Sequence, residues 1–99
     1  MDVKAVHERL RGLMEAPEEE RHEIRGKIKN FYVIQRYTRS NEGEVEEVFV
    51  SSPEVNISLV INSKGLYSVT YVKDGRIEGK SLSEEEAKKV IDDIIKLLS

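Results

Sequence analysis

Apolar positions follow a helical rhythm at the two ends of the chain and a strand rhythm between them. Val3, Val6, Leu10, Leu13 and Met14 fall on one helical stripe, with Asp2 placed as its N-cap and Gly12 weakening its end. A second helix is expected from Pro17, which suits a first helical position, followed by Glu18, Glu19 and Glu20 where the helix dipole favours acids. Ile24 and Ile28 supply its buried face, and Arg25, Lys27 and Lys29 its cationic last turn. From Asn30 the period becomes two. Strands are predicted over 30–39, 44–50, 55–62, 66–73 and 76–80, separated by Ser40-Asn41-Glu42-Gly43, Ser51-Ser52-Pro53, Ser63-Lys64-Gly65 and Asp74-Gly75. Asp74-Gly75 is a type I′ hairpin signal, because both residues tolerate positive φ.

The last element is the most sharply specified. Ser83 and Glu86 have the spacing of a capping box, and Leu82 and Ala87 that of the hydrophobic staple around it. Ala87, Val90, Ile91, Ile94, Ile95 and Leu98 then form a broad apolar stripe opposite Lys88, Lys89, Asp92 and Lys96, which requires a sheet face or a partner to cover it. The expectation is one α+β domain over 1–99, with two N-terminal helices, an antiparallel four- to five-stranded β-meander and a C-terminal amphipathic helix packed on the sheet.

Composition narrows the chemistry. With 99 residues there is room for one modest core, and without cysteine there is no disulfide, thiolate nucleophile or Cys-based zinc site. No apolar run reaches the roughly 18 residues of a membrane span, and the start Met1-Asp2-Val3-Lys4 lacks the apolar region of a signal peptide, so a cytoplasmic location is expected and the Asn56-Ile57-Ser58 sequon carries no meaning. The 35 % of charged residues, with no cysteine, suits a thermophile. The net charge of −3 conceals blocks: Arg21, Arg25, Lys27, Lys29, Arg36 and Arg39 face only Glu23 within 21–39, whereas 40–54 holds Glu42, Glu44, Glu46, Glu47 and Glu54 and no base. Such blocks either neutralise one another in the fold or leave a basic patch that governs local binding.

Motifs for catalysis or metal binding are missing. Gly75-Arg76-Ile77-Glu78-Gly79-Lys80-Ser81 has three residues between its glycines where a P-loop has four, and a hairpin followed by a helix cap accounts for every residue in it. His7 and His22 lack partners at metal-ligand spacing, Glu42–Glu47 lacks the pattern of a calcium loop, and no serine sits in a nucleophile elbow. No enzyme, metal or cofactor is expected; a composite active site between subunits is the remaining route to catalysis.

All six aromatics, Phe31, Tyr32, Tyr37, Phe49, Tyr67 and Tyr71, lie on predicted strands. Strands favour aromatics in any case. The first strand, however, interleaves them with Lys29, Arg36 and Arg39, the combination of cations and flat side chains that single-stranded nucleic acid requires. On 66–73, Tyr67, Val69, Tyr71 and Lys73 share a face, so Tyr67 and Tyr71 are either core residues with hydroxyls at the rim or a stacking platform.

The element order, together with the stretch Asn30–Arg39, resembles the DNA-binding domain of archaeal ThermoDBP-related proteins, which bind single-stranded DNA without an OB-fold. The tail from Tyr71 through Lys73-Asp74-Gly75 and Leu82-Ser83 to Leu98 is similar to the Whirly-like coactivator fold, another single-stranded DNA binder. These resemblances imply a non-catalytic binder of single-stranded DNA before RNA, working as a homo-oligomer. Arg25, Lys27, Lys29, Arg36, Arg39 and Lys73 would hold the backbone, and Tyr37, Tyr67 and Tyr71 would stack on bases. The alternative is an oligomeric protein-interaction module without nucleic-acid binding, motivated by Leu97 beside the C-terminal stripe and by the heptad-like spacing of Val3, Val6, Leu10 and Leu13. The sheet face that the C-terminal helix covers decides between them: hiding Tyr67 and Tyr71 removes the stacking platform.

Overall fold

Short turns join every pair of sequence-adjacent strands, so each strand lies beside its predecessor. The computed structural model describes residues 1–99. Helix α1 (Val3–Arg11) is followed by strands β1 (Glu15–Glu20), β2 (Glu23–Ile28), β3 (Phe31–Ser40), β4 (Gly43–Ser51), β5 (Val55–Asn62), β6 (Tyr67–Lys73) and β7 (Arg76–Leu82), and then by helix α2 (Glu84–Leu98). The strands form one antiparallel seven-stranded sheet in the order β1-β2-β3-β4-β5-β6-β7.

This corrects the expected architecture. There is one N-terminal helix rather than two, and seven strands rather than four or five. The stretch expected as a helix from Pro17 is instead the β1–β2 hairpin. Ile24 and Ile28 are four residues apart, and a spacing of four returns to the same face in a strand as well as in a helix. Pairing with β3 (Ile24 opposite Gln35, Ile28 opposite Phe31) decides in favour of the strand. Gly26 lies between them, and a side chain there would meet Met14, whose Sδ lies 3.2 Å from the position of an added Cβ. Pro17 sits on an edge strand, where no ladder hydrogen bond is lost, beside an irregularity in pairing where Ala16 takes φ 43°.

Both helices lie on one face of the sheet, α1 over β3 and β4, α2 over β6 and β7. Beneath them Val33, Val48, Val50, Leu59, Ile61 and Val69 are fully buried, and α1 and α2 contribute Val3, Leu10, Ala87, Ile91, Ile94 and Leu98 to the same core. The main apolar stripes of both helices are therefore covered within the chain, while Leu97, beside the α2 stripe, stays 40 % exposed. The start of α2 follows its local code: the Glu86 backbone N–H donates to Ser83 Oγ at 3.2 Å, and the Ser83 N–H donates to Glu86 Oε1 at 3.0 Å. Asp2 likewise caps α1, accepting from the Ala5 N–H at 3.1 Å. No helix is long and apolar enough to cross a membrane.

Candidate nucleic-acid interface

With both helices on one side, the other face of the sheet is bare. Its side chains follow from the strand register. One row across the sheet runs Arg25, Ile34, Phe49, Ser58, Thr70, Gly79, and the next runs Lys27, Tyr32, Ser51, Asn56, Val72, Ile77. A third begins Glu23, Arg36, Glu47, Val60. The β2–β4 half of this face is thus aromatic and charged, whereas the β5–β7 half carries only small polar and β-branched side chains.

Arg25 and Arg36 converge on one carboxylate. Glu23 accepts from Arg25 Nε at 2.6 Å and from Arg36 Nε at 2.9 Å, and the two guanidinium groups, Arg36 first, hold its carboxyl below the usual range. The Arg36 guanidinium also lies over the Phe49 ring, 5.9 Å from its centroid, a cation–π arrangement. Tyr32 stands free, 47 % exposed, between Lys27 and Ser51. Ser51 Oγ donates to Asn56 Oδ1 at 2.6 Å, continuing that row as a hydrogen-bonding strip. Beside Tyr32 a cleft of about 830 Å³ opens between the β2–β3 and β4–β5 turns, with Lys27, Lys29, Asn30, Ser52 and Glu54 in its wall. Lys29 heads the β2–β3 turn at φ 55°, and its ammonium donates to the carbonyl oxygen of Ser99.

The residues expected to form one site are divided by the sheet. Arg25, Lys27 and Arg36 lie on the bare face, and Lys29 on its rim. Tyr37, Arg39, Tyr67, Tyr71 and Lys73 have the opposite parity and belong to the helix-bearing face. Tyr67 is 8 % exposed, a core residue beside Ile61 and Leu82. Tyr71 is half-buried, and Arg39 and Lys73 are exposed at strand ends. Tyr37 stacks on the His7 ring (centroids 4.9 Å apart) and donates its hydroxyl to Glu44, which pushes its pKa up to about 12. Tyr37, Tyr67 and Tyr71 therefore do not form one open platform: Tyr67 lies in the core and Tyr37 is held by His7 and Glu44, while Tyr71 is half-buried beside the exposed Lys73. The aromatics that the fold brings beside the basic residues of the open face are Tyr32 and Phe49, which the sequence places on strands without giving them a stacking role. The signal for Tyr32 was its spacing of four from Arg36, which places them on one strand face.

The helix-bearing face has its own polar cluster. Glu46 and Gln35 are fully buried on neighbouring strands under α1. Glu46 Oε2 lies 2.5 Å from His7 Nδ1, while Gln35 Nε2 donates to the His7 carbonyl at 3.1 Å and to Glu46 Oε2 at 3.3 Å. Burial pushes the Glu46 carboxyl up to about 8 and lowers the His7 imidazole. Burial thus holds both groups toward their uncharged forms. Glu46 Oε1 and Gln35 Oε1 have no hydrogen-bond partner. The cluster ties α1 to β3 and β4. No group of three or more His, Cys, Asp or Glu side chains converges as metal ligands would. No family model matches the chain, and neither a curated protein nor a solved structure matches it, so its functional reading rests on this geometry.

Proposed function

We propose that the bare β2–β4 face binds single-stranded nucleic acid without catalysing a reaction. The observation that supports this most directly is the exposed Tyr32 flanked by Lys27 on a face with no covering layer, beside a cleft whose rim carries Lys29. Lys27 and Lys29 supply charge for the phosphates, Tyr32 a plane on which a base stacks, and the Arg36–Phe49 pair a second plane one row away. Glu23 holds Arg25 and Arg36 in place and halves their net charge, so the face is moderately rather than strongly cationic.

A fluorescent oligo(dT) or oligo(U) titrated at low salt should show binding that weakens with salt. With about three phosphates neutralised, the slope of log K against log salt should be about −2, at roughly −0.7 per phosphate for a single strand. No binding at low salt, or binding unchanged in Tyr32→Ala and Lys27→Ala, would sink the proposal. A second reading, a protein-interaction surface, is favoured by the uncharged β5–β7 half of the same face. Retention of a protein partner by Tyr32→Ala, with no oligonucleotide bound by the native chain, would select it.

A further inference from the structure

The two edges of the sheet are treated differently. Edge β1 carries Glu15, Glu18, Glu19 and Glu20, a proline and a pairing irregularity, each of which discourages another strand from adding to it. Edge β7 (Arg76-Ile77-Glu78-Gly79-Lys80-Ser81-Leu82) has no proline and no pairing irregularity, its charges alternate in sign instead of repeating one, and Ile77 is the most exposed large apolar residue of the chain at 77 %. The Asp74-Gly75 turn has positive φ at both residues (52° and 74°), as a two-residue hairpin requires. In such a hairpin the flanking Lys73 and Arg76 exchange both backbone hydrogen bonds. Arg76, Glu78 and Lys80 then turn their backbone groups toward β6, and Ile77, Gly79 and Ser81 present theirs outward, unpaired.

We propose that β7 is a dimerisation edge that pairs antiparallel with β7 of a second copy of this chain, centred on Ile77. The charges alternate Asp74, Arg76, Glu78, Lys80, so they are self-complementary about that centre. Arg76 meets the partner's Glu78, Glu78 meets the partner's Arg76, and Asp74 approaches the partner's Lys80. Moving the centre by one residue, to Glu78, would instead set Glu78 against the partner's Glu78 and Arg76 against the partner's Lys80. Ile77 meets its own counterpart on the bare face, and two seven-stranded sheets become one of fourteen strands. The arrangement is closed: the acidic, irregular β1 edges left at either end do not accept a further copy, so pairing stops at a dimer. The surface is separate from the β2–β4 site and does not depend on what that site binds.

The chain has no cysteine, which makes the register directly testable. Residues opposite one another in a hydrogen-bonded antiparallel pair have Cα atoms about 5.5 Å apart, within reach of a disulfide. Ile77→Cys should therefore oxidise to a covalent dimer of the 11.4 kDa chain, whereas Leu66→Cys, 67 % exposed on the β5–β6 turn, should remain monomeric. By light scattering, the native chain should be a dimer. Arg76→Glu should weaken it by about tenfold or more by setting acid against acid, and Arg76→Glu with Glu78→Arg should restore it. A native chain that is monomeric at its highest soluble concentration would overturn the proposal. So would equal cross-linking at positions 66 and 77, or a dimer indifferent to Arg76→Glu.

Discussion

Adjacent residues on one strand of this protein live in different chemistries. On β5, Leu59 is fully buried beneath the helices while Val60 lies on the bare face; on β3, Gln35 is buried against His7 and Glu46 while Arg36 reaches over Phe49 into solvent. The helix-bearing face holds the core, and the bare face is left without a covering layer. Nothing in the strands' own conformation creates this division. It comes from the placement of two helices on one side of a sheet whose side chains alternate.

The sharpest test compares Leu59 and Val60. Leu59→Ala should cost about 2–5 kcal/mol of unfolding free energy, because it opens a cavity that the sheet cannot close. Val60→Ala, one residue away, should cost less than about 1 kcal/mol, because its side chain is only partly buried and lies on the uncovered face. Urea denaturation distinguishes them, and equal losses would mean that the bare face is covered in solution. A similar split should separate two tyrosines. Tyr67→Ala should lower stability by about 3 kcal/mol, as expected for a buried aromatic. Tyr32→Ala should leave the melting temperature nearly unchanged and weaken oligonucleotide binding by about 1–3 kcal/mol, the usual contribution of a base stacked on an aromatic.

The polar cluster under α1 adds a pH test confined to the helix-bearing face. Glu46 is raised from 4.5 to about 8 in the folded chain, so folding binds a proton there and its stabilising effect fades as pH rises through 8. His7 is lowered from 6.5, so its contribution is lost on acidification below that value and opposes the Glu46 effect there. Between pH 6.5 and 8 the Glu46 effect outweighs the fading His7 one, and unfolding free energy should fall by up to about 2 kcal/mol, a unit of pH being about 1.4 kcal/mol per proton. Glu46→Gln should flatten that slope in urea titrations at the two pH values. The smallest effect belongs to the bare face. Glu23→Gln frees Arg25 and Arg36 from their shared carboxylate, and should tighten oligonucleotide binding by a few-fold and steepen its salt dependence by less than one unit. Weaker binding would mean that Glu23 matters more as a positioner of the two arginines than as their counter-charge.

These tests depend on facts of differing legibility. The β3–β7 meander was readable, because its turns carry Asn, Gly, Ser and Asp at the right places and β5 alternates cleanly. The β1–β2 hairpin was not, because its turn residues Arg21 and His22 are no turn signal, though Arg21 takes φ 54°. Gly26, unfavourable within a helix by about 1 kcal/mol relative to alanine, was the one mark against a helix there. For the candidate site, Arg25, Lys27, Lys29 and Arg36 are legible as a basic run, but which aromatics share their face is not. Phe31-Tyr32-Val33-Ile34 is apolar in both parities, so alternation offered no reason to prefer Tyr32 over Tyr37.

By itself the sequence determined what is settled within a few residues: the capped start of α2 at Ser83 and Glu86, the Asp2 cap of α1, and the two-residue turn at Asp74-Gly75. Each depends on a hydrogen bond or a backbone preference between near neighbours, and none needs the rest of the chain. The tertiary structure alone decided whether residues 15–28 became a helix or a hairpin, and which face of β3 and β6 met the helices. An Ile24–Ile28 spacing fits both periods, and a strand apolar on both faces can be buried either way. In both cases long-range pairing breaks a tie that local energies leave even.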